Sequence, residues 1–214
     1  MKKAVVALFL VWSLCGCERF GPEKLFVDDF EDVDCLNNWV VGGRQLEGTN
    51  IANCEMRDGS VRGHLLKVSF TEITLTPGYG NFPFSDSLTF EFDMEVRVSS
   101  TGGAPSAYYG QSGAIFTFYN TESTPIGGVS YIAATTQFPF DNVKDNPISA
   151  AVPVAENVNA HYVLGVEEIL SYIDIDKTEI ATVGISFNTY SSTRPSPYVE
   201  TELWIDNVIV SHIP

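Results

Sequence analysis

Between Ser87 and Val98 the chain alternates without a break. Leu88, Phe90, Phe92, Met94, Val96 and Val98 are apolar, and Ser87, Thr89, Glu91, Asp93, Glu95 and Arg97 between them are polar. A period of two puts the apolar set on one face of an extended strand and the polar set on the other. Such a strand belongs to an antiparallel sheet with one buried and one wetted face. A face that apolar needs a second sheet to cover it, so the stretch predicts a sandwich.

The rest of the chain fits that frame. Leu25–Phe30, Trp39–Val41, His64–Phe70, Glu72–Thr76, Glu179–Tyr190 and Val199–Ile213 read as strands, and Pro77-Gly78 ends the fourth of them in a turn. Ser112–Tyr119 and Ile126–Ala133 are apolar on both faces and read as interior strands. Gly42 to Gly63 and Ser99–Gly110 are polar and glycine-bearing, the pattern of loops. Val163, Val166, Ile169 and Leu170 fall at helical spacing, which predicts one short helix near 163–172. Ala134–Ala160 is long for a structureless loop and leaves room for a further short strand. The fold class is therefore all-β: a two-sheet antiparallel β-sandwich of the jelly-roll kind.

The first residues break the pattern. Lys2 and Lys3 precede an apolar run, Ala4–Leu14, that is too short to span a bilayer, and Leu14-Cys15-Gly16-Cys17 follows. This resembles the signal of bacterial lipoproteins, which is cut before a cysteine that is then acylated. The resemblance implies a signal peptide at 1–16, Cys17 as the lipid-bearing N-terminus, a tether over 17–24 and one sandwich domain over 25–214. Glu18 in place of aspartate after that cysteine favours the outer membrane. The whole sequence carries a formal charge of −15, and removing two lysines takes it to −17. Phosphate contacts need clustered Lys and Arg, so nucleic acid is excluded as a partner, while cations, neutral glycans and proteins remain. Besides Cys15 and Cys17 the chain has Cys35 and Cys54. In an oxidising envelope this pair is expected to form a disulfide.

Several short motifs recur together in jelly-roll carbohydrate-binding modules. They are Phe30-Glu31, then Trp39, then Asp58-Gly59 ahead of Leu65-Leu66-Lys67-Val68, and finally Leu203-Trp204-Ile205-Asp206-Asn207-Val208. The chain resembles those modules in that order, and its central strand is similar to those of laminin-G and concanavalin A-like sandwiches. The resemblance implies a structural calcium between the first and last strands, held by Glu31 and Asp206, with Asp28, Asp29 and Asp58 near enough to add oxygens. It also implies glycan binding through aromatic rings in loops. Tyr79, Phe82, Phe84, Tyr108, Tyr109, Phe138, Phe140 and Tyr198 all lie outside the alternating segments, and Tyr108, Tyr109, Phe138 and Phe140 are the candidates for ligand contact.

Glu91-Phe92-Asp93-Met94-Glu95 is similar to the signature of laminarinase- and lichenase-type glycoside hydrolases. By that likeness Glu91 would be the nucleophile, Asp93 a helper and Glu95 the acid/base. Retaining chemistry needs carboxyl groups about 5 Å apart, whereas residues four apart on an ideal strand lie about 13 Å apart. Phe92 also replaces the small aliphatic of that signature, and Arg97 on the same face offers an ion-pair partner. The acids are therefore expected to diverge along a solvated face. Gly110-Gln111-Ser112-Gly113-Ala114 lacks the last glycine of a nucleophile elbow. His64, His161 and His212 are scattered without metal-ligand spacing. The functional expectation is a lipid-anchored envelope protein with a non-catalytic, glycan-binding jelly roll. The alternatives are a glycosidase using Glu91 and Glu95, and a structural lipoprotein that docks a protein partner.

Overall fold

The computed structural model describes residues 22–31, 37–44, 53–57, 60–69, 72–100, 110–134, 146–191 and 199–213. Thirteen strands are described, in two sheets. In chain order they are β1 (Glu23–Asp28), β2 (Trp39–Arg44), β3 (Asn53–Arg57), β4 (Ser60–Ser69), β5 (Glu72–Pro77), β6 (Phe82–Pro83) and β7 (Leu88–Ser100). After these come β8 (Gly110–Tyr119), β9 (Pro125–Ala134), β10 (Ser149–Pro153), β11 (Ala160–Gly165), β12 (Thr182–Ser191) and β13 (Val199–His212). One sheet has six strands in the order β11-β7-β13-β4-β3, with β1 also on β13. The other has seven, β10-β9-β8-β12-β5-β2, with β6 also on β12. This is the two-sheet jelly-roll sandwich that the alternation implied.

The central strand is β7, and its six apolar side chains all point into the sandwich. Leu88, Phe90, Phe92, Met94 and Val96 are 0–1% exposed and Val98 is 8% exposed. They meet the inner face of the seven-stranded sheet ring to ring. Phe90 lies 5.0 Å from Phe116 of β8 and Phe92 lies 5.3 Å from Phe187 of β12, while Tyr162 of β11, in the same sheet as β7, stacks on Phe92 at 5.2 Å. Burying one such side chain stabilises the fold by roughly 1.5–3 kcal/mol. At one end the interior closes with hydroxyls. Thr189 of β12 and Thr201 of β13 share a buried 2.5 Å hydrogen bond between the sheets, and Ser112 Oγ donates to the carbonyl of Glu202 at 3.3 Å.

The strand β13 changes phase along its length. Thr201, Leu203 and Ile205 face inward at odd numbers, then Val208 and Val210 at even ones. The extra residue sits between Asp206 and Ile209, which pair with Asp93 and Glu91 of β7, and Asn207 takes φ 51° there. It is a β-bulge, and asparagine tolerates the left-handed region better than most residues.

A buried carboxylate fastens the start of the chain. Asp28 accepts from the backbone N–H of Phe30 at 2.9 Å, from Trp39 Nε1 at 2.8 Å and from Asn38 Nδ2 at 3.3 Å. Phe30 turns through φ 53° and stacks on Trp39 with ring centroids 5.4 Å apart. One acidic side chain thus satisfies the donors of a tight turn and of a buried indole together.

The expected helix and further strand are present, and one loop is corrected. The short helix near 163–172 is α1 (Val166–Leu170), while Ala160–Gly165 pairs with the free edge of β7 as β11. The stretch read as loop from Gly42 to Gly63 contains β3, a hairpin partner of β4. The first strand, β1, begins at Glu23. The further strand expected within Ala134–Ala160 is β10, and it pairs with β9 in parallel.

Replacing Asp28 should show how much the turn depends on it. Asp28→Ala orphans a buried indole N–H and a buried backbone N–H, each costing about 1–3 kcal/mol. The expected loss is about 3 kcal/mol in denaturant unfolding, with Asp28→Asn costing less because one acceptor oxygen remains. A loss under about 0.5 kcal/mol for Asp28→Ala would show that the turn holds without the carboxylate.

Candidate functional site

The outer face of the six-stranded sheet carries the acids of β7. Register aligns His161 of β11 with Asp93 and Val163 with Glu91. On the other side, Trp204 of β13 stands opposite Glu95 and Glu202 opposite Arg97. His161 Nδ1 lies 2.8 Å from Asp93 Oδ1, and its Nε2 lies 3.6 Å from Glu91 Oε1. The bulge turns Asn207 so that its Nδ2 donates to Asp93 Oδ2 at 2.6 Å. Glu95 is only 4% exposed, and its Oε1 accepts from Arg97 Nε at 2.9 Å and Nη2 at 2.7 Å. Arg97 Nη1 reaches Glu202 Oε2 at 3.5 Å. The hydrogen bond to Glu95 is the main reason that the guanidinium pKa rises above its ordinary value. Glu91 lies beside His161 and Glu95 is held by Arg97, and Asp93 between them is bound on both oxygens.

The other sequence candidates scatter. Glu31 is exposed after β1, and its N–H is taken by Asp29 Oδ1 at 3.3 Å. Asp206 Oδ1 accepts from the N–H of Asn207 at 2.8 Å. Asp28, which calcium would need as a donor, is surrounded by N–H groups instead. Among the described residues no group of three or more His, Cys, Asp or Glu is placed to hold a metal ion. Of the loop aromatics, Phe82 is buried, Phe84 packs partly against the core, and Tyr79 is 79% exposed at the tip after β5. Cys17, Cys35, Asp58, Tyr108, Tyr109, Phe138, Phe140 and Tyr198 lie outside the described residues, as does the side chain of Cys54.

The outer face of the seven-stranded sheet differs in kind. Two cross-strand rows run over it, Ser149–Gly128–Thr117–Gly184 and Ala151–Ser130–Ile115–Ser186, from β10 through β9 and β8 to β12. Small residues leave an open groove of about 390 Å³ there, within the roughly 300–1,000 Å³ of small-molecule sites. Ile115, Ile126 and Ile148 give it apolar walls, and Thr117, Ser130 and Ser149 give it hydroxyls. Its described lining holds no charged side chain. The Gly127-Gly128 doublet is what lets the walls approach. A Cβ on Gly127 would stand 2.9 Å from the Ile148 carbonyl oxygen, and one on Gly128 2.9 Å from that of Phe116. Sequence reasoning missed this site. Its only local signal is that glycine doublet, set in a strand that otherwise reads as interior.

No known family model matches the chain, and no curated protein matches it. Solved structures similar to it include the family 11 carbohydrate-binding module of the cellulosomal cellulase Lic26A-Cel5E of Clostridium thermocellum. That module is 14% identical with a TM-score of 0.40, over 90% of this chain and 95% of that one. A family 29 carbohydrate-binding module is 14% identical with a TM-score of 0.36, over 89% of this chain and 88% of that one. The C-terminal family 22 carbohydrate-binding module of Clostridium thermocellum Xyn10B is 10% identical with a TM-score of 0.34, over 88% and 92%.

Proposed function

We propose that this protein binds glycan without cleaving it, through the outer face of its seven-stranded sheet, while an acylated Cys17 holds it to a bacterial membrane. The observation that carries the binding reading is the uncharged groove of about 390 Å³ on an otherwise strongly acidic chain. Sugars present hydroxyls around apolar C–H faces, and a lining that mixes serine and threonine hydroxyls with isoleucine side chains matches both. Clefts of this sort need no ionised group to hold a neutral ligand. The opposite face supports the non-catalytic half of the reading, because Asp93 is bound by His161 and Asn207 and Glu95 by Arg97. The lipid anchor rests on Leu14-Cys15-Gly16-Cys17 after a short apolar run.

Three measurements follow. A glycan array probed with the protein should show binding to at least one uncharged polysaccharide, and Thr117→Arg, which fills the groove centre, should abolish it with the melting temperature unchanged. An array blank for every uncharged glycan would overturn the binding reading. Mixed-linkage and β-1,3-glucans should stay intact in the presence of the wild type. Turnover that disappears in Glu91→Gln would make the protein a glycosidase instead. For the anchor, Cys17→Ser should move the protein from the membrane to the soluble fraction, and unchanged partition of that variant would refute acylation at this residue.

A further inference from the structure

Tyr119 is the last residue of β8, two positions beyond Thr117, and it pairs across β9 with Pro125. Thr117 and Pro125 both line the groove, so Tyr119 flanks the groove on the same outer face. On the other side, β12 places Thr182 beside Tyr119 and Gly184 beside Thr117. A Cβ on Gly184 would stand 3.2 Å from Tyr119 Cε2 and 2.6 Å from Asn81 Oδ1. A phenol ring and a carboxamide therefore converge over a position that carries no side chain. Any larger residue at 184 would lift both off the sheet. Tyr119 is half-buried and Asn81 is exposed, so the pair is fixed from below and open from above.

We propose that Tyr119 and Asn81, laid over Gly184, form a subsite for one pyranose ring of a neutral glycan that continues along the groove. The proposal rests on the glycan reading of that groove. An aromatic ring lying across strands offers its negative face to the C–H bonds of a sugar. A carboxamide beside it carries both donor and acceptor, which suits a pair of neighbouring hydroxyls. Neutrality follows from charge: the described groove lining has no cation to pair with a uronate, and the formal charge of −15 repels anions.

The test is calorimetric titration of the full chain with a mixed-linkage gluco-oligosaccharide, xylohexaose, mannohexaose and, as anionic control, oligogalacturonate. At least one neutral oligosaccharide should bind, and oligogalacturonate should not. For the best binder, Tyr119→Ala should weaken affinity about tenfold or more and Asn81→Ala about fivefold, while Tyr119→Phe stays within about threefold. Gly184→Ala should also weaken binding, and all four variants should melt with the wild type. If Thr117→Arg abolishes binding but Tyr119→Ala and Asn81→Ala leave it intact, the subsite is refuted and the groove stands. If the wild type binds no neutral oligosaccharide, groove and subsite fall together. Tighter binding of oligogalacturonate than of any neutral chain would refute the neutral class.

Discussion

Everything in this sandwich depends on one interlock, the inner face of β7 against the inner faces of β8 and β12. Phe92 is its centre, touching Phe116, Phe187 and Tyr162. In a strand the two faces cannot be set independently, so burying Phe90, Phe92 and Met94 forces Glu91, Asp93 and Glu95 to the outside. The acids are on the surface because the phenylalanines are in the core. Partners of Asp93 are likewise supplied by register, His161 by the pairing of β11 and Asn207 by the bulge of β13.

The same constraint on the other sheet gives a face of the opposite character. Phe116, Phe118, Val183, Ile185 and Phe187 fill the inside, and what is left for the outside of β8 and β12 is Ile115, Thr117, Gly184 and Ser186. One outer face is charged and cross-linked by its own ion pairs. The other is neutral, small and open. A ligand meets competing intramolecular partners on the first and none of comparable strength along the groove lining of the second. This difference, more than the presence of any single residue, is what supports the proposal that the seven-stranded face binds the ligand.

Much of this was legible in the sequence. The alternation over Leu88–Val98 is unambiguous because tertiary packing and local periodicity ask for the same thing, and the expected pairing of Arg97 with Glu95 is present at 2.7 Å. The phase slip in β13 is also written there, as Leu203 and Ile205 give way to Val208 and Val210 across Asn207. Helical spacing in Val163, Val166 and Ile169 located the helix but not its first residue, because three residues at that spacing also fit a strand running into a single turn. The edge of β7 had unpaired backbone groups to offer, and it decided the matter for Ala160–Gly165. The groove was not legible. Thr117, Gly128, Ser149 and Gly184 come together only through the registers of four strands, one of them the parallel β10, and no local pattern encodes a register.

The Glu91-Phe92-Asp93-Met94-Glu95 motif shows why a spacing match does not carry chemistry by itself. A retaining pair has to converge to about 5 Å from a strand separation of about 13 Å, which requires the strand to bend sharply toward its polar side. Here the irregularity lies on the neighbouring strand instead, in the bulge at Asn207. Its effect is to deliver an amide to Asp93, tying down the one residue that would have to stay responsive between nucleophile and acid. Glu95, the supposed acid, is only 4% exposed, and its Oε1 is occupied by two hydrogen bonds from the Arg97 guanidinium. Asp93 and Glu95 are thus fastened to neighbouring side chains of their own sheet rather than turned toward a common point above it.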